Sequence, residues 1–183
     1  MLDPRVKITY EDYLQLPEEQ RYEVLEGDLR MVPARGVPHQ KVLYRLTKVV
    51  GDFVDQQGLG TVLFAPLDVI LADDSVVQPD LLFIRNDRLA ILKTEGVRGA
   101  PDLVVEVLAP NSTAKRDRGI KRRLYGRYGV QEYWLVDPQE RTVEVACQRD
   151  GALETVSLAQ GDAGVRSLLF PDLAIALSDL FRQ

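Results

Sequence analysis

Cysteine, histidine and tryptophan each occur only once in this 183-residue chain, and methionine only twice. A single cysteine, Cys147, excludes an internal disulfide and suits a reducing compartment. It alternates with Val143 and Val145, so it reads as a small buried hydrophobe rather than a catalytic thiol. The single histidine, His39, cannot build a His-rich zinc site, and its place at the start of a helical stretch predicts a capping or surface role. Long apolar runs are missing as well. Even Leu67-Asp68-Val69-Ile70-Leu71 is broken by charge, far short of the roughly 18 apolar residues of a membrane span. The opening Met1-Leu2-Asp3-Pro4-Arg5 has no apolar signal core, so a cytoplasmic location is expected. Internal repeats, low-complexity tracts and linkers are also absent.

What is present is an ordinary globular composition, 45% hydrophobic and 28% charged, in a length that suits one domain over residues 1–183. Thr9-Tyr10-Glu11-Asp12 has the pattern of a capping box for a short helix closed by Pro17. Tyr22–Glu26 and Leu29–Val32 flank Gly27-Asp28, which predicts a hairpin. From Pro38 to about Gln57 the apolar spacing is helical, and Gly58 stops it. Short β-rich runs follow at Thr61–Phe64, Leu67–Leu71, Val76–Ile84, Leu103–Leu108 and Tyr133–Val136. A basic helix, about Thr113 to Tyr128, separates the last two. A hairpin around Arg149-Asp150-Gly151 and a short apolar helix within Pro171–Phe181 complete the chain. The order predicts an α/β (α+β) fold with a mixed central β-sheet flanked by helices.

The formal net charge of −5 argues at first against a nucleic-acid partner. The charge is unevenly placed, however. Between Ser112 and Tyr128, seven cations stand against Asp117 alone, a net of +6, so the remainder carries −11. Lys115, Arg116, Arg118 and Arg122 are the candidates for contact with phosphates, and a solvated helix face is the alternative.

Two carboxylates interrupt runs that otherwise read as strands buried on both faces: Asp80, after Pro79, and Glu106, within Leu103–Leu108. A lone ionised carboxylate there costs several kcal/mol unless it is paired, protonated or bound to metal. On adjacent strands the two can share a hard cation such as Mg²⁺; an arginine partner for each is the alternative. On a helical wheel Asp117, Ile120, Lys121, Leu124 and Tyr128 share one sector. Lys121 is thus the basic residue nearest the middle of the inward face, where it can face such a site or snorkel to solvent. Glu26, counted on one strand face with Tyr22 and Val24, is a candidate third acid or an exposed turn residue. There is no Walker-type loop and no G-x-S-x-G elbow, and metal-assisted hydrolysis needs neither.

Val77-Gln78-Pro79-Asp80 and the run from Ala100-Pro101-Asp102 through Glu106 to Asn111-Ser112 resemble the Uma family of restriction-endonuclease-like proteins. Asp117, Lys121, Tyr125, the stretch Gly129–Pro138 and Tyr22-Glu23-Val24-Leu25-Glu26-Gly27 extend the similarity over about Thr9 to Phe181. The family belongs to the PD-(D/E)XK nuclease superfamily, which implies a restriction-endonuclease-like core. The resemblance makes Asp80 and Glu106 the two motif acids and Glu26 the N-terminal acid. The motif's lysine position holds Leu108, and Lys121 is implied as its replacement from the following helix. The activity so implied is Mg²⁺- or Mn²⁺-dependent endonucleolytic hydrolysis of DNA. Asp80, Glu106, Glu26 and the Val107 carbonyl would hold the metal, Lys121 would stabilise the phosphate, and a homodimer is expected by analogy. A non-catalytic binding module, suggested by Leu108, is the alternative. A metal-free carboxylate-pair glycosidase is a third, weaker one.

Overall fold

The computed structural model describes residues 7–17, 19–109 and 113–182, with side chains outside 113–118. The first half of the chain forms α1 (Tyr10–Tyr13), β1 (Tyr22–Leu25), β2 (Asp28–Met31), α2 (Val37–Gln57), β3 (Gly60–Phe64), β4 (Val69–Ala72), β5 (Ser75–Val77) and β6 (Leu81–Arg85). A 3-10 turn over Asn86–Ile91 leads into β7 (Leu92–Lys93), β8 (Gly96–Arg98) and β9 (Leu103–Val107). Then come α3 (Thr113–Tyr128), β10 (Glu132–Asp137), β11 (Thr142–Arg149), β12 (Ala152–Ala159), β13 (Gly164–Val165), β14 (Ile175–Ala176) and α4 (Leu177–Leu180).

Among the described residues, twelve strands form two six-stranded sheets rather than one, with orders β2-β1-β5-β4-β8-β7 and β12-β11-β10-β9-β6-β3, and β13 and β14 pair separately. The reason lies at Pro79. A proline cannot donate to a ladder, and the apolar run Val76–Ile84 breaks there into β5 and β6, which join different sheets. Asp80 therefore stands where the chain crosses from one sheet to the other. Helix α3 lies between β9 and β10 in the chain, and those two strands pair in parallel.

Parity decides what each face of the second sheet meets. Leu103, Val105 and Val107 of β9 pack with Val42, Leu46, Val50 and Val54 of α2. Val104, on the opposite face, packs with Leu124 and Tyr125 of α3 and with Val69, Val77 and Val97 of the first sheet. Glu106 shares the parity of Val104, so it points toward α3 and the first sheet. Thr9 and Asp12 form the predicted capping box, and Gly58 closes α2 in the left-handed conformation. The β1–β2 turn falls one residue earlier than Gly27-Asp28. Leu25 pairs with Asp28, and Glu26 and Gly27 take φ of 54° and 82°, as a primed two-residue turn requires.

Another buried acid locks the C-terminal segment to the sheet. Glu132, fully buried at the start of β10, accepts from Trp134 Nε1 and Ser167 Oγ at 2.6 Å each. It also accepts from the Leu168 and Leu169 amides at 2.7 and 3.0 Å. Glu132→Gln turns one acceptor into a donor facing donors, and should lower stability by about 2 kcal/mol in a urea titration. Cys147 is buried beside it, as the sequence predicts, and burial followed by the Glu132 charge pushes its thiol pKa up to about 12.

Candidate active site

Each acid of the site is delivered by a different piece of backbone. Asp80 follows the proline break and is 3% exposed. Its Oδ2 accepts the Val107 amide at 2.8 Å and lies 3.1 Å from His39 Nε2. Burial works against its charge, but the His39 hydrogen bond and charge, the Val107 amide and the charge of Arg35 together hold its pKa below the ordinary aspartate value. Val107 thus meets the site through its N–H.

Glu106, the residue before Val107, enters from β9, on the face of the second sheet turned to α3 and the first sheet. Its Oε1 accepts Lys121 Nζ at 3.0 Å and the Tyr125 hydroxyl at 2.8 Å. Lys121 and Tyr125 are four residues apart on α3 and so share a face of the helix. The Lys121 ammonium also lies 2.7 Å from Oε1 of Glu23 on β1, whose same oxygen accepts the Gln78 amide at 2.8 Å. One buried lysine therefore joins a carboxylate of the first sheet to a carboxylate of the second. Burial opposes the Lys121 charge, but Glu106 and Glu23 outweigh it and hold its pKa above the usual lysine value. For Glu106 burial wins, helped by the charges of Asp80 and Glu23 against the relief from Lys121. The result is a pKa of about 7.

The structure thus brings Asp80, Glu106, Val107 and Lys121 to one buried place and leaves two predicted residues out of it. Glu26 sits on the β1–β2 turn, where its carboxylate pairs with Arg127 at 2.9 Å. Arg122 binds Glu144 at 2.6 Å and donates to the Leu153 carbonyl and the Thr155 hydroxyl, pinning α3 to the β11–β12 hairpin rather than offering a free cation. The side chains of Lys115, Arg116 and Arg118 lie outside the described residues. Three members of the cluster were missed in sequence. Tyr125 was findable, being one turn beyond Lys121. Glu23 is the buried N-terminal acid in place of Glu26, and it shares β1 parity with the core residue Leu25. His39 is neither a cap nor on the surface; it is 3% exposed and bound to Asp80.

Among the described residues, no three His, Cys, Asp or Glu side chains already converge as a metal cage. The donor chemistry nonetheless fits a hard divalent cation. Two buried carboxylates, Glu106 and Glu23, share one buried ammonium, and a third, Asp80, lies close enough for its charge to raise the Glu106 pKa, an excess of negative charge that oxygen-seeking Mg²⁺ or Mn²⁺ would offset.

Residues 10–178 match the family model Uma2, described as "Putative restriction endonuclease". A solved structure from Anabaena variabilis, titled a "putative nuclease belonging to DUF820", superposes with a TM-score of 0.77 at 27% identity. The match covers 95% of this chain and 97% of that one. No curated protein matches the chain. Among the described residues, no helix is long and apolar enough to cross a membrane.

Proposed function

The chain belongs to the Uma2 restriction-endonuclease family, and from that membership we propose that it hydrolyses DNA phosphodiester bonds with a divalent cation held by Asp80 and Glu106. The observation that carries this reading is the buried bridge Glu23–Lys121–Glu106 beside Asp80. The cation, Mg²⁺ or Mn²⁺, would supply charge stabilisation to the phosphate and activate the attacking water. Asp80, fixed by the Val107 amide, and Glu106, fixed by Tyr125, are its principal holders, with Glu23 as the third acid in place of Glu26. Lys121 is held protonated, so its part is to offset charge developing on the phosphate rather than to accept a proton. Lys115, Arg116 and Arg118 are the proposed contacts to the DNA backbone, which makes activity fall as salt rises. A homodimer would pair two such sites across the duplex.

Supercoiled plasmid should be nicked in Mg²⁺ or Mn²⁺ and left intact in EDTA. Plasmid intact with both metals contradicts the proposal, and cleavage that survives EDTA points to metal-free chemistry. Because the Glu106 pKa is raised to about 7, a weakly binding neutral acid prevails below that pH and the carboxylate above it. At subsaturating Mg²⁺ the nicking rate should therefore climb between roughly pH 6 and pH 8, and added Mg²⁺ should flatten the rise.

A second reading, a binding module without catalysis, draws on Leu108 at the motif's lysine position and on the two ion pairs that already engage Lys121. Calorimetric titration with Mn²⁺ separates the two, since only the enzyme requires a cation at Asp80.

A further inference from the structure

His39, on the first turn of α2, is buried to the same degree as the aspartate it touches, although 41 residues separate them. Both hydrogen bonds made to Asp80, from His39 Nε2 and from the Val107 amide, end on Oδ2. The other oxygen, Oδ1, has no hydrogen-bond partner among the described residues. The remaining ring nitrogen of His39, Nδ1, is also buried without a partner among them.

A residue needed only to fill this space would not bring an unpaired buried nitrogen with it, which is a cost to folding. A leucine fills similar volume without that cost. What leucine lacks is a donor for Asp80. Two donors on one carboxylate oxygen fix the rotation of the group, and they leave the opposite oxygen as the one turned to a ligand.

We infer that His39 is a positioning residue, whose Nε2–H holds Asp80 Oδ2 so that Oδ1 is presented to the cation. The inference rests on the reading of Asp80 as a metal holder. It assigns the chain's only histidine to the site without making it a ligand, and it explains why α2 begins against the β5–β6 junction. Neighbours that fix a metal-holding side chain in this way are typically worth about 10–100-fold in metal affinity.

The test is Mn²⁺ affinity, measured by calorimetry on the full chain for wild type, His39→Leu, His39→Gln and His39→Asn. The glutamine amide nitrogen reaches the place of Nε2 and restores the donor, whereas asparagine places its amide nearer Nδ1. Leu and Asn should bind Mn²⁺ about 10–100-fold more weakly than wild type, and Gln within about threefold of it. Wild-type affinity in His39→Leu, or a Gln variant as weak as Leu, would overturn the inference. Should His39→Leu not fold, equal affinities for Gln and Asn would overturn it instead. A wild-type protein that fails to bind Mn²⁺ removes the metal reading of Asp80 itself, and that outcome is distinct from wild-type binding that the variants leave unchanged.

Discussion

Glu106→Gln should abolish most metal-dependent cleavage, by roughly 10³-fold or about 4 kcal/mol of transition-state stabilisation, and leave the fold nearly as stable as wild type. The two halves of this expectation come from the same carboxylate. Glutamine keeps an oxygen where Oε1 stands, so Lys121 Nζ and the Tyr125 hydroxyl retain their acceptor. The charge it removes is one that burial already opposes, as the pKa of about 7 shows. Stability should therefore change by no more than about 1 kcal/mol. A neutral amide is a poor holder of a hard cation, so cation binding and cleavage fall together. Urea titration beside a plasmid nicking assay checks both halves, and equal nicking by the variant and wild type would remove Glu106 from the mechanism.

Lys121→Met has the opposite character, with the largest expected effect on stability. Removing the ammonium leaves Glu23 and Glu106 buried against each other, both having held it within 3.0 Å. Breaking a buried pair in this way costs about 3–5 kcal/mol, or a Tm decrease of roughly 6–20 °C for a domain of this length. The pH dependence has a definite sign. A carboxylate whose folded pKa is raised stabilises the fold fully below its unfolded value, and that contribution is lost as pH rises through the folded value. Glu106 is raised already in the wild type and loses the relief of Lys121 in the variant. The deficit of Lys121→Met relative to wild type should therefore be smallest near pH 4 to 5 and largest above about pH 7. Thermal melts across this range measure it, and a deficit independent of pH would mean that lost packing, not stranded charge, is the cause.

The sequence made Asp80 and Glu106 visible because a carboxylate is out of place in an apolar run, and Lys121 visible because helix periodicity turns it inward. Those three arguments use only local pattern. Glu23 escaped because alternation was counted through Glu26, and parity means nothing beyond the end of a strand. Leu25 is the last strand residue, and Glu26 already lies in the turn at positive φ. His39 escaped because its partner lies 41 residues on, and no local period reports such a contact. The split of Val76–Ile84 between two sheets was not read from the sequence, where the run reads as one strand. Pro79 is the signal that could have shown the break, but which sheet each fragment joins depends on long-range pairing with β1, β4, β3 and β9. Arg122 shows the reverse failure: its charge looked available until tertiary packing brought Glu144 to it.

The central claim is that this buried cluster cuts DNA, and the most direct measurement is plasmid cleavage by wild type and Asp80→Asn, purified side by side and assayed in Mg²⁺ and in Mn²⁺. The substitution preserves shape and an oxygen for the Val107 amide, while it removes the charge and puts an NH2 group in place of the oxygen turned to the cation. Wild type should convert supercoiled plasmid to nicked and linear forms, with the variant slower by roughly 10²-fold or more. Equal rates from the two preparations would assign the cleavage to a contaminant and contradict the assignment of this site.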